Sequence, residues 1–251
     1  MQITPQNVGR LAPAWIFHTG EHRPAGPKGS SFEDTPILAD GKLLVCTPTD
    51  RVFALDPLTG RALWAFDPKL AAGLKPGSDF LCRGVAVWRD TAASPDADCR
   101  ARVVLATLDL RVIELDLTTG RPCEGFGEHG TVRLSPDPPP RYPGAVAFDS
   151  PPAVVGDTLV LGTALDDMTE ARASGSAVCG LDAAPGCCAG GSTRHLRPPR
   201  GRSSRAAAMS GRRSRRTRRR AGCSCRPPRR VLRSGAANGP ATTALRRRSW
   251  R

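Results

Sequence analysis

The side chains with the most overt chemistry are the arginines of the run Gly211-Arg-Arg-Ser-Arg-Arg-Thr-Arg-Arg-Arg220. Fixed cations at that density attract phosphates and release counterions, with a steep salt dependence. Such a run would bind DNA or RNA without sequence preference, and Trp250 is the one aromatic beyond residue 183 that could stack on a base. The cysteines come next. Cys46, Cys82, Cys99, Cys123 and Cys179 show no paired zinc spacing, and Cys187-Cys188 and Cys223-Ser-Cys225 lack a matching His pair. The odd count among the first five argues against a complete disulfide framework and leaves the redox compartment open. His18, His22, His129 and His195 have no mutual spacing that suits a metal or a catalytic pair. They read as ordinary loop or strand residues. Any specific chemistry must therefore come from side chains that a fold brings together.

The charge distribution divides the 251 residues in two. The whole chain carries a formal net charge of +14, but residues 184–251 hold 20 Arg and no Lys, Asp or Glu. Residues 1–183 hold 17 basic and 23 acidic residues, a net of −6. The earlier part is long enough to bury an ordinary core. The later part lacks the apolar residues that offset chain entropy, and its like charges repel, so it is expected to be disordered. There is no apolar run of the roughly 18 residues that a membrane helix needs. Met1-Gln-Ile-Thr-Pro-Gln-Asn lacks the charged start and apolar stretch of a secretory signal.

Residues 1–183 alternate short Val/Ile/Leu-rich runs with Gly, Pro and Asp, which reads as all-β. A repeat organises them. Residues 54–64 read Ala-Leu-Asp-Pro-Leu-Thr-Gly-Arg-Ala-Leu-Trp, residues 114–124 read Glu-Leu-Asp-Leu-Thr-Thr-Gly-Arg-Pro-Cys-Glu, and residues 180–186 read Gly-Leu-Asp-Ala-Ala-Pro-Gly. The aligned Asp56, Asp116 and Asp182 are 60 and 66 residues apart. In each unit a β run ends in Asp, a turn closes on Gly, and a further strand is expected. Asp bonds the backbone two residues on, and Gly supplies the positive φ of a tight turn. Upstream lie further strands: 35–38 and 43–47 around Asp40-Gly41, 101–107, and 153–155 and 158–163 around Gly156-Asp157. Four short strands per unit fit a propeller blade. A β-sandwich is the alternative, although it does not require the same hairpin at matched spacing.

These residues resemble a known family. Asp56, Gly60 and Trp64 form an Asp-x-x-x-Gly-x-x-x-Trp pattern similar to the blade motif of the pyrroloquinoline quinone (PQQ) dependent dehydrogenases, in which the Trp docks between blades. Ile3-Thr-Pro-Gln-Asn-Val-Gly-Arg-Leu with Ala14-Trp15, Cys82-Arg83-Gly84-Val85, Gly120-Arg121-Pro122-Cys123 with Phe126-Gly127, and Ser150-Pro-Pro-Ala-Val-Val-Gly-Asp-Thr-Leu-Val-Leu-Gly resemble family segments in order. They point to the membrane-associated quinoprotein glucose and polyol dehydrogenase branch. The resemblance implies an all-β fold made of about three blades of an eight-bladed propeller, residues 1–183, followed by the basic segment 184–251. It implies PQQ and a divalent cation, Ca²⁺ or Mg²⁺, as cofactors. The cation polarises a quinone carbonyl while a carboxylate base takes a proton from a sugar, polyol or alcohol as hydride leaves. A quinone or a cytochrome would accept the electrons. The family works at the periplasmic face of the membrane. Carried over by position, Arg83, Ser150 and Thr163 would contact PQQ, and Asp166 and Asp167 would lie on the metal side, where hard oxygens suit Ca²⁺ or Mg²⁺. The other readings are an inter-blade or surface ion pair for Arg83 and a solvated turn for the two aspartates. No catalytic residue is assigned. The chain departs from the family at Asp149 (commonly Thr), at Asp79-Phe80-Leu81 (where sugar-oxidising members often carry His), and at Glu124 (in place of a docking Trp).

The third unit breaks after Asp182. A strand with a Trp should follow Gly186, yet the composition turns to Arg, Ala, Gly, Ser, Pro and Cys. A shifted reading frame in a GC-rich gene accounts for this. Suitable codons for residues 186–193, read one frame over, give Val-Leu-Arg-Trp-Arg-Phe-Asp after the Gly. Residues 208–214 and 241–250 likewise yield family-like segments in the same frame. The expectation is a single-base loss, or an equivalent insertion or deletion or sequencing error, near the codons of Ala183-Ala184. Three of eight blades cannot close a ring, so an open sheet edge and poor solubility are expected as well.

Overall fold

The computed structural model describes residues 3–21, 29–136, 139–166 and 177–184. Asp167, and the segment from Pro185 on with the expectations placed on it, lie outside the described residues. Among the described residues no helix is long and apolar enough to cross a membrane.

Over the described residues the chain is all-β, built of successive antiparallel sheets. The first is a meander of β1 (Ile37–Ala39), β2 (Lys42–Cys46), β3 (Val52–Leu55) and β4 (Ala62–Phe66), in that spatial order. The second repeats it with β5 (Ala86–Arg89), β6 (Ala101–Ala106), β7 (Arg111–Asp116) and β8 (Thr131–Arg133). In the third, β10 (Ala153–Val155), β11 (Thr158–Gly162) and β13 (Val178–Asp182) are neighbours in that order. A two-stranded ladder of β9 (Val146–Ala147) and β12 (Ala164–Leu165) stands beside it. These are three consecutive propeller blades.

The alternation of side chains explains the stacking, because successive residues of a strand face opposite neighbours. In the second blade Val103, Leu105, Ile113 and Leu115 pack with Leu44, Cys46, Val52 and Ala54 of the first. The intervening Val104, Ala106 and Val112 pack with Leu159, Leu161 and Leu181 of the third. Both faces of the sheet are buried, so β3 and the centre of β7 are apolar throughout apart from one residue, Glu114.

The repeated hairpins have the anticipated chemistry. Asp40 and Gly41 both hold positive φ (44° and 70°), as a two-residue hairpin requires. Asp56 Oδ1 accepts the N–H groups of Leu58 and Thr59 at 2.8 and 2.9 Å, and Asp116 Oδ1 accepts those of Thr118 and Thr119 at 3.0 and 2.8 Å. The same contact begins at Asp182, whose Oδ1 accepts from Ala184 N at 3.0 Å.

Each glycine of the motif has two jobs. Gly60 and Gly120 sit at φ 72°, and a Cβ on either would lie within about 2.6 Å of a tryptophan ring, Trp15 and Trp64 respectively. Trp15 donates from Nε1 to Pro57 O, and Trp64 donates from Nε1 to Leu117 O, both at 3.1 Å. Each tryptophan therefore lies on the turn of the next blade. Trp15, read from the sequence only as part of an opening segment, performs the same docking ahead of the first blade.

Two sequence expectations change. The second unit does not begin its last strand after Gly120. Pro122 makes a single bridge to Leu115, the chain then leaves the sheet, and pairing resumes at Thr131 opposite Ile113. Glu124 lies in this excursion, exposed and 2.7 Å from His129 Nδ1, so the strand that would present a tryptophan is interrupted there. The cysteines also pair more than their odd count suggested: Cys46 with Cys82 and Cys99 with Cys123.

Candidate functional site

The segments that lead into the first strand of each blade converge. Glu33 and Asp34 precede β1, Arg83 precedes β5, and Asp149 precedes β10. Backbone bonds hold them together: Thr35 N donates to Arg83 O at 3.2 Å, and Arg83 N donates to Asp149 O at 2.9 Å. The Cys46–Cys82 disulfide ties the first blade to the residue before Arg83. Gly84, at φ 141°, lets the chain pass against Thr35, Asp34 and Pro151.

In this frame Arg83 bonds to two carboxylates. Its Nη1 lies 2.7 Å from Asp149 Oδ2 and its Nε lies 3.1 Å from Glu33 Oε2. Burial pulls the guanidinium pKa down, but these two carboxylates outweigh it and hold the group above its ordinary value. Ser150 Oγ donates to Asp149 Oδ1 at 2.9 Å. Arg83 and Ser150 are thus joined through Asp149.

The remaining candidates follow the β9–β12 ladder. Thr163 precedes Ala164, which pairs with Ala147, two residues before Asp149. Its Oγ1 accepts from Ala177 N at 2.9 Å. Asp166 lies toward the other end, where its N–H donates to Ala145 O at 3.2 Å. Its carboxylate is buried, so it is not a solvated turn residue, and it accepts the Tyr142 hydroxyl. Gly77 makes room for it, since a Cβ there would fall 2.5 Å from Asp166 N. Glu33 and Asp34 were not singled out by the sequence. The available signal was an acidic pair directly ahead of a strand, but Arg83 is 50 residues away from Glu33.

A PQQ tricarboxylate with a divalent cation is the group the resemblance implies. The described residues do not by themselves fit it. Arg83 is already neutralised by Asp149 and Glu33, so an anionic ligand would find no unpaired cation there. Asp166 is engaged by Tyr142, and among the described residues no three His, Cys, Asp or Glu side chains are grouped to hold a metal ion.

Three buried carboxyls carry a consequence for pH. Burial pushes Asp34 up to about 6, against backbone N–H bonds that favour its charge. Burial likewise raises Glu114 to about 7, against the attraction of Arg102, and lifts Asp50 well above its ordinary value. Asp50 Oδ2 accepts Leu108 N at 2.8 Å. Each group holds a proton in the folded chain at a pH where the unfolded chain has released it. The stability they contribute is complete below about pH 4 and is lost as pH rises through about 6 to 7. Asp56 is lowered by the turn N–H groups it accepts, and Asp116, against its partial burial, by the N–H of Cys99 and then by Thr119 and Thr118; both act in the opposite sense, below about pH 4. By calorimetry, Tm is therefore expected to rise as pH is lowered from 8 to 5 and to fall under more acid conditions. A Tm that falls steadily from pH 8 to 5 would contradict the assignment.

Comparison with known proteins fits this geometry. Residues 1–189 match the family model of the β-propeller domain of PQQ glucose/ethanol/alcohol dehydrogenases. The chain is 34% identical over 186 residues to a quinoprotein glucose dehydrogenase of Escherichia coli (strain K12), covering 72% of this chain and 23% of that protein. It is 32% identical over 186 residues to a glycerol dehydrogenase large subunit of Gluconobacter oxydans (strain 621H), covering 74% and 25%. A europium-containing methanol dehydrogenase superposes with a TM-score of 0.55 at 21% identity, over 76% of this chain and 28% of that one. The chain spans about a quarter of the length of these curated relatives.

Proposed function

Because the chain belongs to the PQQ glucose/ethanol/alcohol dehydrogenase β-propeller family, we propose that residues 1–183 are three blades of an enzyme that oxidises a sugar, polyol or alcohol. Its electrons pass to a quinone or cytochrome at the periplasmic face of the membrane. Two disulfides among the described residues support an oxidising compartment. PQQ, when bound in the complete propeller, supplies hydride acceptance. Arg83, Ser150, Thr163 and Asp166 would be this chain's share of the wall around PQQ and its Ca²⁺ or Mg²⁺; Asp167, assigned with them from the sequence, lies outside the described residues. In the complete site Arg83 would exchange a carboxylate partner for the cofactor. None of the described residues is assigned as the base. No turnover is expected from the 251-residue chain by itself.

The observation that carries this reading is where the likeness stops. The family match ends at residue 189, just after the third Asp-capped turn begins at Asp182. The proposed frame change near Ala183-Ala184 accounts for the 20 arginines beyond. Sequencing the genomic DNA across those codons tests it. The expected result is a single-base difference from the frame that encodes Gly-x-x-x-Trp. An intact frame with independent transcript support overturns it. A second reading, non-specific nucleic-acid binding through residues 211–220, is supported by the density of arginine and the absence of acidic residues in that segment.

A further inference from the structure

The turns capped by Asp56, Asp116 and Asp182 each expose one carbonyl directly after the aspartate: Pro57 O, Leu117 O and Ala183 O. The first two accept an indole N–H, from Trp15 and Trp64, at 3.1 Å. The third accepts from Arg102 Nη1 at 3.2 Å, and the same nitrogen lies 3.5 Å from Ala184 O. A guanidinium occupies the position that an indole occupies at the other two blade junctions.

The surroundings hold it there. Arg102 Nη1 also donates to Glu114 Oε2 at 2.6 Å, and its Nε donates to Cys99 O at 2.7 Å. Its guanidinium lies 4.9 Å from the centre of the Trp88 ring, and Trp88 Nε1 donates to Asp157 Oδ1 of the third blade at 3.2 Å. Arg102 pairs with Asp116 and Glu114 pairs with Val104, so both side chains share the face of the second blade that meets the third. Glu114 occupies the repeat position of Ala54, the partner of Trp64. The alanine–tryptophan pair of the first blade is therefore replaced by a glutamate–arginine pair in the second, where the last strand is interrupted between Cys123 and Thr131.

We propose that Arg102, clamped by Glu114, is the docking group between the second and third blades, and that the third blade is held in place through it. A buried cation that bridges a carboxylate and a carbonyl has a defined orientation, and removing it leaves both acceptors buried without a donor.

Hydrogen exchange of the full 251-residue chain, read by mass spectrometry, tests this. Arg102→Met keeps the length and apolar stem but removes the donors. It should accelerate exchange at least tenfold in residues 153–165 and 178–182, while residues 37–66 stay within twofold of the unsubstituted chain. Trp64→Phe is the control: it should accelerate the first blade and leave the third unchanged. Arg102→Lys, which retains the charge without the planar fork, gives a smaller acceleration confined to the third blade and serves if Arg102→Met does not stay soluble. Unchanged exchange in the third blade, or equal acceleration in all three with either Arg102 variant, overturns the proposal.

Discussion

Replacing Trp64 with alanine is expected to lower the unfolding free energy by about 3 kcal/mol, since it removes a large packed ring and one half-buried hydrogen bond. The ring lies on Gly120 and its Nε1 is 3.1 Å from Leu117 O, so the loss falls on the junction of the first two blades. Trp64→Phe keeps most of the apolar area and loses the N–H, so it should cost about 1 kcal/mol. The complementary change is Gly120→Val. It forces a β-branched residue to φ 72° and drives its Cβ to about 2.6 Å from the indole. It should destabilise at least as much as Trp64→Ala, and the two together should cost less than their sum because they break one contact. Urea unfolding at constant m reads all of these. Tolerance of both single substitutions would mean that the blades are held by their apolar faces alone.

Much of this architecture was legible before any coordinates. Asp56, Gly60, Asp116, Gly120 and Asp182 sit in turns whose bonding is local, so type and spacing suffice to read them. The turns at Asp40-Gly41 and Gly156-Asp157 are legible for the same reason. What escaped the sequence is set by contacts between distant segments. Trp15 docks like Trp64, but no Asp-x-x-x-Gly precedes it. The partners of Arg83 lie 50 residues before it, at Glu33, and beyond the second blade, at Asp149. Cys46 and Cys82 are 36 residues apart and are brought together only when the first blade stacks on the second. Glu124 was read as a substituted docking residue. The actual replacement is Arg102 on another strand, which follows from the chain leaving the sheet after Pro122.

The candidate site was less legible than the fold. Ser150 and Arg83 meet through Asp149, whereas Asp166 lies at the other end of a ladder with Tyr142 as its partner. A family resemblance assigns such positions one at a time. It does not reveal that Asp149 and Glu33 already neutralise Arg83. That pairing is the physical reason for expecting no activity rather than a weak one. An anionic cofactor gains little from a cation that is already neutralised.

The direct test is turnover by the chain as it stands. The purified 251-residue polypeptide is incubated with PQQ and Ca²⁺, then given glucose, glycerol or ethanol with an artificial electron-acceptor dye. The account predicts a rate of dye reduction equal to that of the protein-free mixture at every protein concentration. Reduction that scales with protein, requires PQQ and disappears when the metal is chelated would contradict it, because three blades would then be enough to build the site.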